Sequence, residues 1–308
     1  MRDVRGYALL AFAMASVGST VVAGKWMAQV GPFTGNALRL ALALPLFVLA
    51  LRWTGTALPR LCRHDRWLLA AQAAAGSVGY TALLLLGLRH TSAASAGAIV
   101  GTLPIVALVL SMLLLGERPT VRAALAVLLA GGGVAWMTAD PADGGAMLGN
   151  LLVGAAVLCE GLFILLNRRM RTPLPPLALS TLLVALGLAG SAIPAAIELA
   201  ISPRLPAPAL LGAVYYAIVP TFAGFIAWYA GSARVSAAEA SLFTAVAPLA
   251  AMALSVLWLG EQPGERQLAG AAVIVVAVVW QALPSNSRTV ERSRANDVCK
   301  LHLLDKLD

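Results

Sequence analysis

The chain has 308 residues, 60% of them hydrophobic and only 12% charged, with a mean hydropathy of +0.84. Soluble domains carry about a quarter charged residues, so this composition excludes a soluble globule and points to helices that cross a bilayer. The net charge of +8 does not signal nucleic acid, because the basic residues sit in short segments between apolar runs.

The start, Met1 to Ser16, imitates a secretory signal, with Arg2 and Arg5 followed by an apolar core and A-F-A-M-A-S. Cleavage there would remove one member of an otherwise paired set of spans, so it reads as an uncleaved first helix. Spans are expected at 6–25, 34–51, 67–88, 93–115, 120–138, 146–166, 176–199, 208–230, 236–259 and 266–283. Each reaches or approaches the length of about 20 residues that a bilayer needs. Spanning barrels are not expected, since their short alternating strands would not give such unbroken Ala, Leu and Val runs. Turn chemistry marks the connections: Gly31-Pro32, Arg60 to Arg66, Pro141 to Gly145, and Pro203 to Pro208. The segment from Ser285 onward is polar and reads as a cytoplasmic tail.

One stretch occurs twice. Ser92-Ala-Ala-Ser-Ala-Gly leads through Pro104 and Gly116-Glu117-x-Pro119 to Arg122 and Trp136; Ser236, 144 positions after Ser92, opens a second copy with Pro248, Gly260-Glu261-x-Pro263, Arg266 and Trp280. About sixteen of roughly 47 aligned positions match without a gap, which marks an internal repeat. The expected division is therefore 1–140 and 141–284 as two repeats, with 285–308 as the tail. Five spans per repeat, an odd number, invert the second copy relative to the first, as in secondary transporters. With both termini inside, about 17 of the 22 Lys and Arg residues fall in cytoplasmic segments, which sets the orientation in an inner membrane.

Three features carry a resemblance to a known family: a small-residue first span ending in Gly24-Lys25-Trp26, then Pro32 and Arg39 at the second span, and the doubled Ser-Ala-Ala, Pro and Gly-Glu-x-Pro series. Together they resemble the ten-helix EamA-type branch of the drug/metabolite transporter superfamily. The resemblance covers about residues 6–283. It implies an all-α polytopic fold of ten transmembrane helices in two inverted five-helix repeats, a central cavity, and export of small metabolites such as amino acids. A multidrug exporter of the same superfamily is the alternative. A membrane-embedded enzyme or non-transporting scaffold has less support, since no nucleophile–base arrangement is present. The cysteines Cys62, Cys159 and Cys299 lack metal or disulfide spacing, and with three His no metal or cofactor is expected. Expected partners are a small-molecule substrate and the lipid bilayer, with no nucleic acid. The oligomeric state is open, and a monomer already contains both repeats.

Charged groups inside the hydrocarbon mark functional positions by default. Glu160 lies deep in the sixth span with Phe163 and Asn167 on its face, and its repeat partners are Ser16 and Ser19 of the first span, opposite Glu160 and Phe163. It suits proton coupling, or else bonds a neighbouring helix or Arg168 and Arg169. With serines opposite, any proton site here would be asymmetric, a departure from the small multidrug exporters of the same superfamily, whose first helix carries the glutamate. Arg39, with Asn36 on its i−3 face, either holds a substrate carboxylate, pairs with an acid, or snorkels to the outer surface. Lys25 lies at a helix end and is expected to snorkel. Glu239, which replaces Ser95 of the first copy, is a secondary candidate. Tyr80, Thr81, Tyr215, Tyr216, Trp228 and Tyr229 either line a cavity or anchor at the interface. Pro104 and Pro248 are expected as a shared hinge. The Gly-Glu-x-Pro turns are assigned no chemistry.

Overall fold

A computed structural model describes residues 4–115, 121–138, 144–235, 240 and 243–282. Glu239, the first Gly-Glu-x-Pro turn and the tail lie outside the described residues. Within them the chain is helical throughout, with no strand. In order the helices are α1 (Val4–Gly18), α2 (Thr20–Met27), α3 (Pro32–Trp53), α4 (Arg63–Gln72), α5 (Thr81–Gly87), α6 (Ala93–Val100), α7 (Leu103–Leu115), α8 (Val121–Thr138), α9 (Gly144–Arg168), α10 (Pro176–Ile201), α11 (Ala207–Tyr216), α12 (Gly224–Ser232), α13 (Val246–Leu259) and α14 (Glu265–Ala282). A π-helical segment, Ala73–Tyr80, joins α4 to α5, and a second, Ala217–Ala223, joins α11 to α12.

Among the described residues, six helical rods are long and apolar enough to cross a membrane: Val4–Met27, Pro32–Trp53, Arg63–Gly87, Ala146–Asn167, Pro176–Ile201 and Ala207–Ser232. A seventh is broken, since α6 and the start of α7 meet at 41°. Two shorter apolar helices follow the same pattern, Ala124–Trp136 and Phe243–Leu259. The outward surface is what a bilayer requires, with Leu49, Ile193, Ile201, Leu113 and Leu257 all largely exposed.

The repeat is visible in where helices begin. Pro32 and Pro176 open α3 and α10; Arg63 and Ala207 open α4 and α11; Ala73 and Ala217 open the π segments; Val121 and Glu265 open α8 and α14. Each pair is 144 positions apart. Proline starts α3 and α10 because it forfeits only an N–H that has no helical partner there. Packing follows the same exchange. Helix α1 lies against α12 and α13, while α9 lies against α5 and α7; α3 packs on α10 and α8 on α14. Small residues allow these crossings: a Cβ on Gly18 would collide with the Ala247 carbonyl, and one on Gly97 with the Ala251 methyl. Gly131, by contrast, meets nothing within 4 Å.

The two prolines expected as a hinge differ in setting. The first break falls at Gly101-Thr102, and Pro104 sits in the first turn of α7, where it is tolerated. Pro248 is buried near the start of α13, after the 3-10 turn Phe243–Ala245. The two copies touch here, since a Cβ on Gly101 would lie 2.7 Å from the Pro248 Cβ.

Candidate functional site

The two π segments set up the centre of the molecule. Widening a helix to i→i+5 bonding disturbs the regular carbonyl ladder and leaves backbone oxygens for side chains. In the first segment the Ser77 carbonyl accepts from Asn36 Nδ2 at 2.8 Å and from Arg39 Nη2 at 3.5 Å. In the second, Pro220 contributes no N–H, which is itself a cause of local rewinding.

Arg39 occupies the space between the segments and is 7% exposed, so the snorkelling alternative does not hold. Its Nε donates to Asn36 Oδ1 at 2.9 Å, Nη2 to Thr81 Oγ1 at 2.8 Å, and Nη1 to Thr221 Oγ1 at 3.1 Å. The guanidinium also lies 4.7 Å above the centre of the Tyr216 ring. Asn36 is fully buried and braced in turn by Ser191 Oγ at 2.8 Å. Asn36, Thr81, Thr221 and the Ser77 carbonyl are all neutral, so these contacts solvate the cation without cancelling its charge.

A cavity of about 250 Å³ opens beside this arginine. Arg39 and Glu160 both line it, together with Tyr80, Phe163, Tyr216 and Phe225. Glu160 comes from α9 in the second repeat and Arg39 from α3 in the first, and each lies within the other's electrostatic reach. Phe163 packs over Gly76, where a Cβ would come within 2.8 Å of its ring.

The other expected residues are placed as follows. Ser16 and Ser19 are buried, and their hydroxyls return to the helix through the Ala13 and Ser16 carbonyls. Gly224, in the repeat position of Tyr80, leaves room for Ser16, whose hydroxyl lies where its Cβ would be. Tyr229 stands one layer back, its ring 4.6 Å from that of Phe225, and Trp228 does not line the cavity. Tyr215 stacks edge-on against Trp258, which also stacks on Trp26. Thr20, Ser77, Ser180 and Thr221, which the sequence reading passed over, also line the cavity. Hydroxyl residues are common in any span, and only the 144-position match of Ser77 with Thr221 could have singled them out.

A second, wider recess of about 530 Å³ lies at the α2 end of the first rod, lined by Lys25, Arg89, Ser95, Asn150 and Gln267 among others. Lys25 and Arg89 both bond backbone ends. Lys25 Nζ donates to the Leu88 and Thr91 carbonyls at 2.9 and 2.6 Å, and Arg89 to the Ala28 and Val30 carbonyls. Lys25 therefore closes a helix end and does not snorkel. Glu261 accepts from the Ala93 and Ala94 N–H groups at 2.8 and 2.9 Å, filling the N-terminus of α6. Glu198 does the same for α3, accepting from Thr34 N at 2.7 Å and Thr34 Oγ1 at 2.9 Å. The second Gly-Glu-x-Pro is thus more than a turn. Gly260, at φ +65°, ends α13 in the left-handed conformation, and its neighbour Glu261 reaches the other repeat.

A family model for the EamA-like transporter family matches residues 4–139 and, separately, residues 147–282. The chain belongs to this family. It is 32% identical over 269 residues to the uncharacterized transporter YetK of Bacillus subtilis, covering 84% of this chain and 81% of that one. It is 25% identical over 276 residues to a probable terminal-alkyne amino-acid exporter of Streptantibioticus cattleyicolor, covering 83% and 84%. A solved crystal structure superposes with a TM-score of 0.63 over 90% of this chain and 96% of its own, at 20% identity, which is a likeness of fold. This EamA-family transporter is thus a multi-pass membrane protein handling a small-molecule substrate within a lipid bilayer.

Proposed function

We propose that this transporter exports small zwitterionic metabolites, amino acids or close relatives, across the inner membrane by alternating access, with Glu160 carrying a coupled proton. The observation that carries the reading is the single cavity in which Arg39 of one repeat and Glu160 of the other flank aromatic walls. A carboxylate suits the guanidinium fork and an ammonium suits the acid. Because a proton and a cargo ammonium would occupy the same carboxylate, binding of one releases the other, which couples the two fluxes. The cavity volume of about 250 Å³ lies below the roughly 300–1,000 Å³ of drug-sized sites, favouring small metabolites over bulky drugs. A relative named as a probable amino-acid exporter supports the same cargo class.

The proposal includes the finer architecture: ten spans, residues 1–140 and 141–284 as inverted five-helix repeats, both termini cytoplasmic, and Pro104 and Pro248 at the moving joints. The test is efflux from preloaded proteoliposomes across neutral amino acids, their decarboxylated amines and lipophilic cations. Amino acids should leave faster than from protein-free liposomes. Export of lipophilic cations alone would replace this reading with a multidrug exporter, and no flux of any compound would sink both.

A further inference from the structure

The two π segments occupy the same place in the two repeats, and one side chain joins them. Ser77 of the first and Thr221 of the second are repeat equivalents, and both bond to Arg39. Thr81, directly after the first segment, takes a second Nη proton at 2.8 Å, and Tyr216, directly before the second, lies beneath the guanidinium. Nothing mirrors this arrangement, because Leu183 stands at the position of Arg39 in the other copy and Ser180 at that of Asn36. The connection between the segments through a cation is therefore single.

We infer that Arg39 is a cargo-sensitive tie between the two π segments, holding the repeats in the present arrangement until a cargo carboxylate replaces Thr81 and Thr221 as acceptor of its Nη hydrogen bonds. This rests on the reading that Arg39 receives the carboxylate. The chemistry favours the exchange: a carboxylate meets the guanidinium fork with two acceptor oxygens and an opposite charge, whereas each threonine offers one neutral hydroxyl. Asn36, bonded to Nε, keeps the fork aimed during it. A cargo can shift a conformational equilibrium only through a difference in affinity between the two states, and breaking a hydroxyl tie supplies that difference. Arg39 is in this sense a positioning residue as well as a binding one.

Cys159 offers a native probe, because it is half-buried and its Sγ lies 3.3 Å from where a Gly79 Cβ would be, against the first π segment. In a C62S/C299S background, alkylation of Cys159 by N-ethylmaleimide should change at least twofold when a transported amino acid is added. T221V and T81V, which keep shape and remove the hydroxyl, should each shift the cargo-free rate at least twofold in that same direction. T221S, which restores the hydroxyl, should return it to background. Cargo-free rates for T221V and T81V equal to background would overturn the tie, whatever the cargo. Should no amino acid be exported at all, the proposed function falls, and the tie is still judged on the cargo-free rates. Should one variant fail to fold, the other decides.

Discussion

Arg39 sits where an unpaired charge would be unfavourable by about 3 kcal/mol or more, and the chain meets that cost with Asn36, Thr81, Thr221 and the Tyr216 ring. Lysine at this position would keep the charge and lose the fork. R39K should therefore raise the KM for a zwitterion with a smaller effect on its decarboxylated amine, whereas R39Q should abolish zwitterion export; equal effects on both substrates would remove the carboxylate role. Glu160 makes a separate prediction. E160Q should leave a transporter whose residual flux no longer varies with pH between about 5 and 8, measured as efflux at clamped pH, and an unaltered profile would take the proton away from this residue. Gln72 is fully buried and neither of its amide atoms is bonded. Leaving such groups unmade costs about 1–3 kcal/mol, so Q72L should raise the apparent melting temperature, and a lowered one would show that the amide is satisfied by solvent. Both ionic residues of the cavity were legible in the sequence, because a charge in an apolar run is rare. Of the hydroxyls around them Thr81 was named beside Tyr80, but Thr20, Ser77, Ser180 and Thr221 were not, since a single threonine in a span bonds its own helix as readily as a neighbour. Asn36 was visible through its i−3 spacing to Arg39, although its bond to Ser191 depends on a contact 155 residues away.

At the scale of elements, the breaks matter more than the rods. Matched prolines announce an interruption in both copies, yet the chain bends at Gly101-Thr102 and seats Pro104 in the next first turn. Proline removes a bond to the preceding turn, so the visible break precedes it. The first π segment had no such herald, unlike the second with its Pro220: Ala73–Tyr80 contains no proline, and its rewinding is answered by Asn36 from another helix. Contacts at helix ends were hidden in the sequence for the same reason. Glu198 and Glu261 lie near helix termini, where an acid ordinarily faces solvent, and only folding brings them to N-termini 164 and 168 residues away. E261A should expose two N–H groups without partners and lower the apparent melting temperature, whereas E261Q, which keeps an acceptor, should lower it less; equal melting of E261A and the parent would deny the cap. Glycines separate by contact. G97L should disrupt the α6–α13 crossing at a cost of about 1–3 kcal/mol, while G154A, with nothing within 4 Å, should be tolerated; expression and gel-filtration profiles distinguish the two.

For the whole molecule, the duplication was the most legible feature, because a gap-free match survives in composition as apolar as this. Ten spans were expected from the apolar runs, and six full rods with one bent pair stand out by length and apolarity among the described residues. Cargo should stabilise the folded transporter by mass action, about 2.7 kcal/mol at a hundredfold excess over Kd. A thermal-shift screen with neutral amino acids should therefore find at least one that raises the melting temperature, and a flat response across that panel would argue against the cargo class.

The exchange of packing partners also bears on how the protein is made. Helix α1 rests on α12 and α13, residues translated some 200 positions after it, and α9 rests on α5 and α7. Synthesis from the N-terminus thus releases α1 into the bilayer long before the surface that covers its glycines exists. Until the second half arrives, the nascent chain carries close-contact faces with lipid in place of protein. Quality-control proteases would meet a stalled or truncated product as an unfinished one. Residues 1–140 expressed alone should be cleared rapidly, and simultaneous expression of 141–308 should prolong their lifetime in a pulse-chase measurement. Equal lifetimes with and without the second half would mean that the first half stands alone.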